Sequence, residues 1–264
     1  MTYNMLQALT LFAQGMYTDQ SGAIGSGYSG MGIGMDYYYI LLVIPAMLIA
    51  LFAQAKVKSA YKKYAQVGNS RNLTGAQAAR MILDSHGLTY VPINVVQGEL
   101  TDHFNPTDNT VNLSPDVYNG TSVASIGIAS HEVGHAIQHA EGYFPNKLRA
   151  AIIPVTNFGS QVSMILILIG LVMSSFVWLA WLGVILYSTA TLFQLVTLPV
   201  EFNASNRALK HIKELGIAGD DDYKGVKKVL SAAAMTYVAA LITSLASFLR
   251  LLLIVRGSDS RSRR

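Results

Sequence analysis

The sequence predicts a mainly α-helical integral membrane protein in which about four helices cross the bilayer and a small β-sheet lies between the first span and the second. Three observations lead there. Of 264 residues, 52% are hydrophobic and only 13% charged, with a mean hydropathy of +0.36, too apolar for an ordinary soluble domain. Residues 150–200 contain no charged side chain. Between 91 and 113 the helical period gives way to short apolar runs broken by Gln97-Gly98 and by Asn105-Pro106-Thr107-Asp108-Asn109, which is turn chemistry. The net charge of +4 is small, and its basic residues sit beside apolar spans. It therefore reads as membrane topology, with no nucleic-acid partner. Cysteine is absent, which excludes disulfides, thiolate metal sites and cysteine nucleophiles together.

Taken in order, residues 1–36 carry no Lys or Arg, and 21–35 are dominated by Gly and Ser. A signal peptide needs a basic start, so this segment reads as a flexible extracytoplasmic tail with a short surface-seeking helix at 5–12. Residues 37–55 form the first span, with tyrosines at its outer end and a kink expected at Pro45. Lys56, Lys58, Lys62 and Lys63 follow at once, which places 56–150 in the cytoplasm. Residues 74–85 read as a helix opened by a Thr74/Gln77 capping box and closed by Gly87. Runs at 91–96, 100–104 and 110–113 are the strands of the small sheet. Residues 111–113 are the candidate for an exposed edge, an internal hairpin strand being the alternative.

Residues 122–140 are mostly small or apolar, with no proline and no charge except Glu132, so they form a buried helix capped by Thr121 or Ser122 and ended by Gly142. The uncharged stretch 151–199 is long enough for two crossings at roughly 20 residues each. They are expected at 158–176 and 177–198, with Trp178 and Trp181 at the far interface. Two crossings return the chain to the side it left. Another helix is expected at 199–215, stopped by Gly216, then an acidic loop at 219–223. Residues 200–228 thus rejoin the cytoplasmic region, 229–255 cross the membrane or lie along it, and 256–264 form a basic tail.

Chemistry concentrates at His131-Glu132-Val133-Gly134-His135. Residues four apart share a helix face, so both imidazoles can point at one ion with Glu132 beside them. Two imidazoles alone hold zinc weakly, and a third donor is needed. The extension of this pattern with glycine at 138 and histidine at 141 is excluded, because Gln138 and Glu141 stand there. Glu201, returned by the double crossing, is the favoured third ligand, and Ser205, one turn on, could hydrogen-bond a ligand. Competing donors are weaker. Glu141 is too close along the chain, His139 overextends the helix, and Glu214 and Asp220 to Asp222 look solvated. Candidates to steady an oxyanion are His103, Tyr143, Arg207 and Tyr237, between which the sequence does not choose. His86 and His211 read as exposed.

Four segments occurring in this order carry a resemblance: Thr101-Asp102-His103-Phe104-Asn105-Pro106, Val111-Asn112-Leu113-Ser114, His131 to Gln138, and Leu198 to Ser205. Together they resemble the YugP-type zinc-dependent membrane metallopeptidases of bacteria over residues 37–255. More distantly they resemble the HtpX-type membrane proteases, whose aspartate four residues after the ligand glutamate is replaced here by Ser205. The resemblance implies a zincin-like α+β core in the membrane protein. It implies one Zn2+ per chain bound by His131, His135 and Glu201, with Glu132 as the catalytic acid and base. The expected activity is endopeptidase cleavage of membrane or membrane-proximal proteins from a multi-pass cell-membrane protein whose site faces the cytoplasm. The bilayer and a protein or peptide substrate are the expected partners. A site-2-type intramembrane protease and a non-proteolytic, metal-stabilised scaffold or chaperone are the alternatives.

Overall fold

The computed structural model describes residues 36–262, so the tail and the helix at 5–12 that the sequence led one to expect lie outside the described residues. The architecture is mostly helical, with one three-stranded sheet. A π-helical turn at Tyr39–Val43 leads into α1, Ile44–Tyr64. Pro45 has no N–H to give the Leu41 carbonyl, and the widened turn lies where that bond is lost. Next come α2 (Gly75–Ser85), β1 (Ile93–Val95), β2 (His103–Asn105), β3 (Thr110–Leu113), α3 (Pro115–Tyr118) and α4 (Val123–Ala140). Then α5 (Phe144–Val172), a 3-10 turn at Ser174–Phe176, α6 (Val177–Glu214) and α7 (Asp220–Ser262) complete the chain. Among the described residues, four helices are long and apolar enough to cross a membrane: the one ending with α1, then α5, α6 and α7.

The chain divides into two compact units. The first comprises Ala53–Asn146 and Val200–Thr236. Its α2 begins at the expected capping box, both bonds of which are present, and Gly87 closes it at a φ of +68°. Ala78, Ala79, Ile82 and Leu83 of α2 pack with Ile126, Ala129, Val133 and Ile137 of α4, with Val111 and Leu113 of β3 and with Ile212 of α6, all fully buried. Ser122 caps α4, its hydroxyl accepting the Ser125 N–H. The sheet order is β1-β3-β2, with β3 parallel to β1 and antiparallel to β2. The expectation of an edge at 111–113 is therefore overturned: β3 is the middle strand, flanked on both sides. Its residues 111–113 are all buried, which fits a central strand better than a rim.

The second unit comprises 36–52, Lys147–Pro199 and 237–262. Thr156 donates to the Thr189 carbonyl, so α5 and α6 run antiparallel from the turn at 173–176. The Arg250 guanidinium holds Asp36, and the Thr243 hydroxyl donates to the Ala46 carbonyl, so α7 runs antiparallel to α1. Asp36, the 173–176 turn and Asp259, bonded by Trp181, consequently share one end of this unit. Gly183 permits the hairpin to close, since a Cβ there would lie 2.6 Å from the Ser163 carbonyl oxygen.

Two local expectations fail for physical reasons. A separate helix at 199–215 is not formed, because α6 runs unbroken through Pro199. A proline removes one hydrogen bond and need not stop a long apolar helix. The acidic run is not a loop either. Asp220, Asp221 and Asp222 make the first turn of α7, where carboxylates meet the positive end of the helix dipole.

Candidate metal centre

On α4, His131 and His135 are one turn apart with their rings edge to face, centroids 4.8 Å apart. On α6, Glu201 is buried, and its Oε2 lies 3.3 Å from His131 Nε2 and 3.5 Å from His135 Nε2. Ligand atoms of the three residues all fall within 4.8 Å of one another. Two donors bound at about 2.05 Å and spread at the tetrahedral angle lie roughly 3.4 Å apart, so this spacing fits an ion between them. Two imidazoles and a carboxylate are a donor set that suits zinc.

Gly134 makes the convergence possible. A Cβ at this position would stand 2.6 Å from the Ala204 carbonyl oxygen, so only glycine lets α4 approach the turn of α6 that carries Glu201. Ser205 takes the place expected of it, its Oγ 3.2 Å from His131 Nδ1. With a metal held at Nε2, that Nδ1 would carry the hydrogen and Ser205 would accept it.

Glu132 points to the other side of the pair, toward the sheet, where its Oε2 accepts the Phe104 N–H at 3.0 Å. Val111 gives its own N–H to Pro92, on the β1 side of β3. Phe104, paired with Val111, thus turns its N–H away from β3, along the open edge of β2. Burial, with the negative charges of Asp102 and Glu201 adding to it against the pull of His131 and of the Phe104 N–H, pushes the Glu132 carboxyl up to about 7. A carboxyl poised near neutrality can both take and give a proton.

The remaining candidates separate. His103 is engaged at both nitrogens, Nδ1 with the Thr101 carbonyl at 2.8 Å and Nε2 with the Asn112 amide at 3.3 Å, which serves the sheet. Arg207 pairs with Glu141 at 2.7 Å and lies 6.0 Å from the Tyr143 ring centre. Its hydrogen bond, and its charge after that, hold the Glu141 carboxyl below the usual carboxylate range. His139 and Glu214 are exposed and outside the cluster. His211, expected on the surface, is instead buried, with its ring 4.3 Å from that of His86 and its Nδ1 3.2 Å from Glu214. Sequence reasoning missed Gln138 and Asn203. Gln138 is fully buried one turn beyond His135, with its Oε1 3.0 Å from His135 Nδ1. A lone amide on an apolar helix next to a ligand was the available signal.

The chain is 50% identical over 222 residues to a Bacillus subtilis (strain 168) protein named "Putative membrane protease YugP", covering 84% of this chain and 98% of the relative. No solved structure matches it significantly. Residues 39–256 match the family model described as "Putative neutral zinc metallopeptidase", and the chain belongs to that family.

Proposed function

We propose that the protein is a membrane zinc endopeptidase that cuts membrane or membrane-proximal proteins on the cytoplasmic side, with His131, His135 and Glu201 holding one zinc ion. The observation that carries this reading is the convergence of the three donors from two helices, with Glu132 next to them and free of the ligand set. Zinc bound there supplies Lewis acidity, which lowers the pKa of a water and polarises the scissile carbonyl. Glu132 accepts the proton of the attacking water on its carboxylate and delivers it to the nitrogen of the leaving amine. The open edge of β2, ending at Glu132, offers main-chain partners for an extended peptide, replacing the role first expected of β3.

Topology supports the cytoplasmic assignment. Fourteen of the nineteen Lys and Arg residues fall in 56–149 and 207–228, and none in 1–36. Among the described residues, α4, which carries two of the three donors, is not one of the four helices long and apolar enough to cross the bilayer, and on α6 Glu201 is the first charged residue after the apolar run, which favours a site outside the bilayer over an intramembrane one. The test is Glu132→Gln expressed in cells in place of wild type, read by the zinc content of the purified full chain and by proteomic comparison with wild type. Retained zinc with accumulation of uncut membrane proteins is expected. An unchanged proteome in a variant that keeps its cellular role would favour the scaffold, and rapid cleavage of soluble casein with none of membrane proteins would contradict the substrate class.

A further inference from the structure

Gln138 is fully buried on α4, and a side-chain amide in such a place must find partners for both its donor and its acceptor. Its Nε2 donates to the Val200 carbonyl at 2.8 Å and to Asn203 Oδ1 at 2.9 Å. A backbone carbonyl only accepts, so the amide cannot be turned over, and Oε1 is left facing His135 Nδ1 at 3.0 Å. Asn203 is oriented by the same logic. Arg207 Nε, which has only hydrogen to give, donates to Asn203 Oδ1 at 2.7 Å. The other end of that guanidinium is held by Glu141 Oε2 at 2.7 Å. The bonds therefore converge on Asn203 Oδ1, which accepts from Arg207 on one side and from Gln138 on the other, and the Gln138 oxygen is left to accept from the imidazole.

The consequence falls on the metal ligand. An acceptor oxygen at His135 Nδ1 requires the hydrogen there, which leaves the Nε2 lone pair facing Glu201. We propose that Gln138, oriented by Asn203 and Arg207, is a positioning residue that holds His135 in its metal-binding tautomer and ring rotation. This rests on the zinc reading above and deepens it: the sequence His135, Gln138, Asn203, Arg207, Glu141 joins a ligand to an ion pair whose carboxylate is half exposed.

The experiment uses the full chain in detergent, with zinc affinity measured by chelator competition and the unfolding midpoint of the metal-free protein measured beside it. Asn203→Leu removes one of the two acceptors of Gln138 Nε2 and leaves the Val200 carbonyl to hold the amide alone, and zinc affinity should fall about 10-fold, the low end of the loss seen when partners of a ligating histidine are lost. Asn203→Asp keeps an oxygen for both Gln138 and Arg207 and should bind zinc as wild type does. Gln138→Met, close in shape but unable to accept, should lose affinity like Asn203→Leu. If it fails to fold, the Asn203 pair decides alone. Equal zinc affinity in wild type, Asn203→Leu and Asn203→Asp, with only the metal-free midpoint lowered in Asn203→Leu, would overturn the proposal in favour of simple helix joining. A wild-type chain that takes up no zinc would instead defeat the zinc reading, and this inference with it.

Discussion

The two units bury polar groups in different ways. In the unit built from 36–52, Lys147–Pro199 and 237–262, hydroxyls mostly turn back on their own helix: Ser188 to Ile185, Thr189 to Leu186 and Thr243 to Ala239. Such local bonds satisfy a hydroxyl without water and suit a helix facing lipid. Large apolar side chains such as Ile49, Phe52, Phe158, Ile165 and Ile185 point outward there. In the unit of Ala53–Asn146 and Val200–Thr236, Ser130 and Thr236 also turn back on their helices, but the polar groups near the metal centre reach across elements, Asp102 to Ser114, Glu132 to Phe104 and Gln138 to Asn203. The difference teaches where chemistry can be built: long-range polar bonds orient groups for a reaction, whereas local ones only make a segment compatible with lipid.

The sharpest way to separate the two is to disable one without the other. Glu132→Gln should lower the hydrolysis rate by about 10²- to 10⁴-fold, the usual worth of a general acid and base, while zinc content and the thermal midpoint stay at wild-type values. Rate assays on a membrane-protein substrate, paired with metal analysis, check this. In the other unit the corresponding blow is Arg250→Met, which strands the Asp36 carboxylate that Arg250 now holds at 2.6 Å. A loss of roughly 1–3 kcal/mol is expected, since the carboxylate keeps the Tyr39 N–H but loses its counter-charge. Adding Asp36→Asn should return part of it, and zinc bound per folded chain should not change.

Glycine offers a matched pair with an effect of similar size. Gly134→Ala and Gly183→Ala each force a methyl to about the same distance from a facing carbonyl, so each should cost roughly 1–3 kcal/mol in detergent unfolding. Only Gly134→Ala should also weaken zinc binding, because the backbone it pushes away carries Glu201. Equal zinc affinity in both variants would erase the distinction.

The smallest effect is in pH. Arg207 depresses the Glu141 carboxyl, so the folded state binds this proton less readily than the unfolded chain. Its contribution is present above the ordinary glutamate value of 4.5 and is lost as pH falls through the depressed folded value. Glu141 is half exposed, which limits the gain to under about 1 kcal/mol. Glu141→Gln should therefore lower stability at neutral pH by under about 1 kcal/mol, leave it unchanged once the pH is below the folded value, and so flatten the acid side of the profile slightly.

Legibility followed the range of the interaction. The four-residue spacing of His131 and His135, the Thr74/Gln77 box and the closing glycines Gly87 and Gly216 are local rules, and each appears as read. Glu201 was reachable because an even number of crossings is a counting argument. What local rules could not supply was pairing across the chain. The central place of β3 depends on β1 and β2 flanking it, and the burial of His211 depends on His86 from α2. The orientation of Gln138 depends on α6. Pro199 and the aspartates at 220–222 misled for the converse reason, since a stop signal and a loop composition were overruled by helices long enough to absorb them.

The central claim is that two imidazoles of α4 and the carboxylate of α6 share one zinc ion. Metal analysis of purified wild type beside Glu201→Ala tests it most directly: one zinc per wild-type chain and none retained through chelator washing in the variant is the expected result. Full zinc occupancy in Glu201→Ala after the same washing would contradict it.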